Sequence, residues 1–141
     1  MPGYSGTPLA KKLGIKEGHV VALFGAPKGF EATLEGLPAG ATVKRSPRTR
    51  GPFDVVVYMP KDAAEYRARL RSMVALTREN GAVWACWPKK ASGVVSDVTE
   101  TLIRETALAS GVVDVKVCAV SDVYAGQKLV RRLKDRAGTR A

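Results

Sequence analysis

The chain is predicted to be a single α/β domain, a mostly parallel sheet ended by an antiparallel C-terminal hairpin. Three observations predict this. The apolar runs HVVALF, opening at His19, and FDVVVYM, opening at Phe53, are too continuous for strands with one face in water, so both read as strands buried on two sides. Segments with helical spacing of apolar residues separate the later runs. The last two runs are joined by a short turn of the kind that links antiparallel neighbours. A length of 141 residues suits one domain, placed at 1–136, with 137–141 as a tail lacking apolar side chains apart from alanine.

Taken in order, Thr7 before Pro8 reads as an N-cap with proline at the first helical position, and Gly14 closes that short helix after Leu9 and Leu13. The stretch HVVALFGAPKGF follows and organises the rest: a buried strand, then Gly25, Pro27 and Gly29 forcing a tight turn. Phe30, Leu34 and Leu37 mark a brief helix that Pro38 and Gly40 break; residues 41–45 return as a short strand, and 44–51 form an exposed basic loop. Beyond the strand 53–59, Asp62 with Glu65 makes a capping box, and Tyr66, Leu70, Met73 and Val74 keep helical spacing up to Gly81. Arg67, Arg69, Arg71 and Arg78 fill its outer face. AVWACW, residues 82–87, is a third buried strand stopped by Pro88. Val95, Val98, Leu102 and Ala109 then line a helix ending at Gly111, and strands 112–120 and 127–133 close the domain across a turn at 121–126.

Composition narrows the function classes. Twenty-three Lys and Arg against 13 Asp and Glu give a net charge of +10, which attracts nucleic acid and acidic partners without specifying a fold. Cys86 and Cys118 each sit in an apolar run with no Cys or His nearby, so they read as free buried thiols, neither disulfide nor zinc ligands, in a reducing, cytoplasmic setting. No apolar run is long enough to span a bilayer or to serve as a secretion signal. His19 stands alone, without metal-ligand spacing around it. Ser5, Ser92 and Ser96 lie outside any G-x-S-x-G frame, and Asp54 and Asp97 read as a strand-start polar residue and a helix first-turn acid.

One constellation has ligand-binding character. Lys28, Lys61, Lys89 and Lys90 all follow predicted strands, and parallel strands send their carboxyl ends to one side. These lysines would gather beside the backbone of Gly25 and Gly29, where a phosphate or carboxylate can be held. Tyr4, Trp84, Trp87 and Tyr124 are candidates for an apolar wall, with Trp84 also suited to the core.

The succession of strand, helix, strand, helix and hairpin over 53–133 resembles the class I methyltransferase architecture, a Rossmann-type fold here shortened in its first half. That resemblance places the crevice between the first strand and 53–59. Adenosylmethionine and dinucleotide sites present G-x-G-x-G or G-x-G-x-x-G and end the second strand in an acid that holds ribose hydroxyls. Here Pro27 and Lys28 separate the two glycines, and Lys44, Arg45 and Arg48 occupy the acid's region, so the expectation is the fold with no cofactor. Taken together, YSGTPLAKKLGI, GAPKGF, WPKKASGV and DVKVCAV resemble an uncharacterised, largely actinobacterial family of small proteins grouped as a domain of unknown function, with which no catalytic residue comes. The resulting expectation is a non-enzymatic domain that binds an anionic small molecule or a protein partner. The alternatives are a divergent adenosylmethionine- or nucleotide-dependent enzyme and a basic nucleic-acid-binding accessory protein.

Overall fold

In the computed structural model, which describes residues 7–45 and 51–132, six strands form one sheet. From edge to edge they are β2 (Thr42–Arg45), β1 (Val20–Phe24), β3 (Phe53–Tyr58), β4 (Thr77–Pro88), β6 (Tyr124–Arg131) and β5 (Val112–Ala119). The first four run parallel, and β6 is antiparallel to both β4 and β5. The chain leaves β1 toward one edge to make β2 and returns to β1's other side as β3, so connections diverge between β1 and β3.

The central strands are covered on both faces, as their unbroken apolar runs require. On one side Ala22, Val56, Tyr58, Val83 and Ala85 pack beneath helices α2 (Ala63–Ala75) and α3 (Glu100–Ala109), which Tyr66 ties together by donating to the Ile103 carbonyl at 2.9 Å. On the other, Val21, Leu23, Val55, Val57 and Trp84 lie under the short helix α1 (Leu9–Lys12) and the chain between β1 and β2, where Phe30 and Leu34 are buried. Four residues are too few for an autonomous helix. Its anchor is Trp84, fully buried, whose indole N–H donates to the Leu13 carbonyl at 3.1 Å.

Several boundaries differ from the sequence reading. Pro8, not Thr7, occupies the cap position of α1, and no side chain caps that end. Residues 30–33 form a single 3-10 turn, and Leu37 is exposed. Helix α2 stops at Ala75, well short of Gly81, where two of its last carbonyls find side-chain partners: Thr77 Oγ1 donates to Met73, and the Arg131 guanidinium donates to Val74 and, beyond the helix, to Arg78. Chain 77–81 therefore joins β4, with an irregularity in which Phe53 pairs with Thr77 but Val55 with Ala82. Helix α3 starts only at Glu100, where Thr99 Oγ1 accepts from Leu102 N, leaving Val95 outside the helix and 98% exposed. Asp97 caps α2, not α3, by accepting from Ala63 N at 2.8 Å. Strand β6 opens at Tyr124, three residues early, since Ser121 Oγ accepts from both Val123 N and Tyr124 N and tightens the turn. Residues 46–50 of the basic loop, Tyr4, Ser5 and Leu133 lie outside the described residues.

The edge strand β5 is itself irregular. Asp114 pairs with Leu129 and Lys116 with Lys128, so Val115 is an extra residue with no partner position on β6. Among the described residues no helix is long and apolar enough to cross a membrane, and no three His, Cys, Asp or Glu side chains form a cluster able to hold a metal.

Both thiols are free, and Gly126 separates them, pairing with Cys86 on one side and Cys118 on the other. Two strand spacings of about 4.8 Å each exceed the reach of a disulfide. Burial pushes both thiols up from their ordinary pKa, the fully buried Cys86 most. Under native conditions at neutral pH, iodoacetamide is therefore expected to leave Cys86 unlabelled and to modify Cys118 more slowly than free cysteine, faster as pH rises; mass spectrometry reads both. Replacing Trp84 by Phe strips the Leu13 carbonyl of its donor and opens a void, so chemical denaturation should show a loss of about 2–3 kcal/mol.

Candidate functional site

Parallel strands place their carboxyl ends together, and here the ends of β1, β3 and β4 border a cavity of about 400 Å³. Its geometry begins with Gly25. At φ +77° the chain turns off the end of β1 hard against the next strand, where an added β-carbon would overlap the Met59 carbonyl oxygen. Only glycine permits this approach. Phe24, Tyr58 and Tyr124 supply aromatic walls, with Pro60 and Pro88 between them, and Val94 and Val95 form an exposed apolar rim.

The polar part of the cavity comes from one stripe. Lys61, just before α2, and Glu65, Arg69 and Met73 along it recur every four residues, and all line the cavity. Tyr58 Oη donates to Glu65 Oε2 at 3.1 Å; burial first, and then the Glu65 charge, raise the phenol's pKa well above its ordinary value, so it stays a neutral donor. Among the described residues neither Lys61 nor Arg69 has a hydrogen-bond or ion-pair partner for its charged group. Two unpaired cations facing an aromatic-walled crevice can hold a carboxylate or phosphate by charge-assisted hydrogen bonds.

Of the residues singled out from sequence, Gly25, Lys61 and Tyr124 line this cavity. Lys28, Gly29, Lys89 and Lys90 do not, although all four follow the carboxyl ends of β1 or β4 as expected. Lys28 and Gly29 stand in an exposed turn, and Lys90 in another beyond β4. Lys89 is half-buried, its backbone N–H donating to Val123. Sequence reasoning missed Arg69, treating it as one of several solvating arginines, and with it Glu65, Tyr58 and Phe24. The signal was the four-residue spacing from Lys61.

Arg45, at the end of β2, is the opposite of Lys61 and Arg69. Its Nε and Nη2 donate to the two Glu31 carboxylate oxygens at 2.8 and 2.7 Å, Nη1 donates to the Ala26 carbonyl at 2.5 Å, and Nη2 also to Pro27 at 2.9 Å. The side chain thus straps down the turn after β1. A larger cavity of about 550 Å³ at the other end of the strands is lined by His19, Asp54 and Arg78, but these are already engaged. His19 Nδ1 accepts from Lys16 N, and Asp54 accepts from Val20 N while pairing with Arg78 at 3.2 Å. The charges there hold strand starts in place, so the smaller cavity is the better ligand site.

Comparison with solved structures gives methyltransferases. A SAM-dependent methyltransferase from Aquifex aeolicus aligns with TM-score 0.60 at 12% identity, covering 86% of each chain. The magnesium protoporphyrin IX methyltransferase of Synechocystis PCC 6803 with bound SAH gives 0.59 at 14% identity, over 82% of this chain and 75% of that one. A TehB-like SAM-dependent methyltransferase from Corynebacterium glutamicum gives 0.58 at 9% identity, covering 92% and 90%. The fold is the methyltransferase-type Rossmann fold. At these identities the likeness establishes fold alone. No protein-family model and no curated protein matches the chain.

An adenosyl group does not fit this chain in the way Rossmann-type sites hold one. The second strand ends in Arg45 where a ribose-binding acid is needed, Pro27 stands within the glycine turn, and no residue of β2 borders the cavity.

The strap has a titration signature. The Arg45 hydrogen bonds, reinforced by the backbone N–H of Glu31, push the Glu31 carboxyl down to about 2 from 4.5. A lowered folded pKa means that the strap's contribution to stability is complete above the ordinary carboxylate range and is lost as pH falls through about 2. NMR of the Glu31 side-chain carboxyl is expected to show a midpoint near 2, moving back into the ordinary carboxylate range in Arg45→Ala.

Proposed function

We propose that the protein is a divergent enzyme on the methyltransferase-type fold whose substrate is a small molecule with an anionic group and a flat or apolar body. The observation that carries this reading is the pair of unpartnered cations, Lys61 and Arg69, set in a crevice walled by Phe24, Tyr58 and Tyr124. The cavity has the volume of a small-molecule site. Glu65, held by the Tyr58 hydroxyl, adds a carboxylate that can accept a hydrogen bond or a proton from the bound molecule. Kinship with the actinobacterial family and a cytoplasmic setting, in which two free thiols persist, belong to the same reading.

Thermal shift and calorimetry with inorganic phosphate, benzoate and phenyl phosphate test it. Phenyl phosphate is expected to stabilise the protein more than phosphate does, because it fills both halves of the crevice. Lys61→Ala and Arg69→Ala should each weaken that binding at least about fivefold, while unfolding in buffer stays nearly unchanged, as for other exposed substitutions. Undiminished phenyl phosphate binding in the double variant, or no binding of any probe to the unsubstituted protein, refutes the site.

A further inference from the structure

The strap formed by Arg45 has a meaning for ligand identity that does not depend on what the crevice binds. In Rossmann-type sites the turn after the first strand and the end of the second hold the nucleoside: backbone approaches the phosphate or sugar, and an acid, or an arginine for a 2′-phosphate, takes the ribose. In this chain those two segments are bonded to each other. Four hydrogen bonds, to Glu31 twice and to the carbonyls of Ala26 and Pro27, use four of the five guanidinium N–H donors. Among the described residues, the arginine fork at the end of β2 keeps one free N–H, and both oxygens of the Glu31 carboxylate already accept from Arg45.

We infer that Arg45 and Glu31 close the nucleoside half of the fold with the protein's own side chains, so that neither an adenosyl ribose nor a 2′-phosphate is held at the end of β2. The bonds are bidentate and charge-assisted, a type that is short, directional and strong relative to neutral pairs. Opening them for a nucleotide would take the Arg45 donor from the carbonyl of buried Ala26 and leave Pro27 only the Phe30 N–H. Neither Arg45 nor Glu31 lines the cavity that Lys61 and Arg69 face.

Two measurements on the full chain test the closure. S-adenosylhomocysteine and NADP are titrated into the protein while the NMR signals of Arg45 Nε–H and the Glu31 carboxyl are followed. At up to millimolar ligand both are expected to stay where they are. In parallel, hydrogen exchange of the Phe30 and Ala32 amides, which donate within the turn, is compared with Arg45→Ala and Glu31→Gln. Either variant should speed exchange at those amides at least about fivefold and leave the amides of β1 and β3 unchanged. Glu31→Gln keeps the shape of the side chain, which guards against misfolding of the alanine variant. Saturable binding of either nucleotide with shifts at Arg45 or Glu31 overturns the inference, as does unaltered exchange in both variants. Nucleotide binding that leaves those two signals in place supports the closure and locates the ligand elsewhere. Failure of the phenyl phosphate experiment leaves this result unaffected.

Discussion

Coverage of the middle strands on both faces is the constraint from which the rest follows. Val21 to Leu23, Val55 to Met59 and Ala82 to Cys86 have no face in water, so polar side chains have no place along them. Chemistry is displaced to the strand ends. At one end His19, Asp54 and Arg78 are used up in fastening strand starts to one another; at the other, the chain turns away through Gly25 and leaves a crevice. The same coverage sets the helices unequal tasks. α2 and α3 bury long apolar stripes, whereas α1 is so short that a single indole hydrogen bond and its buried neighbours must fix it.

Around the crevice, charge is partitioned by pairing and not by sign. The cation at the end of β2 is spent on the protein itself, while Lys61, just before α2, and Arg69 within it have no ion-pair partner among the described residues. A shared fold with adenosylmethionine-dependent enzymes therefore does not carry over to a shared way of holding a nucleoside. Topology accounts for where the cavity of this chain opens, at the carboxyl ends of neighbouring parallel strands whose connections diverge.

The layout of the sheet was legible because its signals are strong and local: continuous apolar runs for buried strands, a short turn for the hairpin, and glycines where the chain must double back. Helix ends were less so, since at the end of α2 the Val74 carbonyl is taken by Arg131 of β6, a residue more than fifty positions away. No local pattern encodes such a partner. The site shows the same division. Lys61 and Gly25 could be placed because each directly follows a strand. Arg69 needed the boundary and rotation of a helix, and the role of Arg45 needed the contact between β2 and the turn before it. Lys28, Lys89 and Lys90 occupy the predicted end of the sheet, yet loop paths that composition does not specify keep them out of the cavity.

The irregular pairing of β5 bears on how the molecule behaves in a crowd. An edge strand with exposed Val115 and Val117 offers unpaired amides and carbonyls to any extended chain that drifts alongside, the geometry from which sheet-to-sheet aggregation grows. The extra residue at Val115 interrupts the row of backbone groups, and Asp114 and Lys116 set charges on either side of it. An incoming strand can match the ladder above the interruption or below it, not through it, so the most apolar segment of the edge makes a poor template for fibril growth.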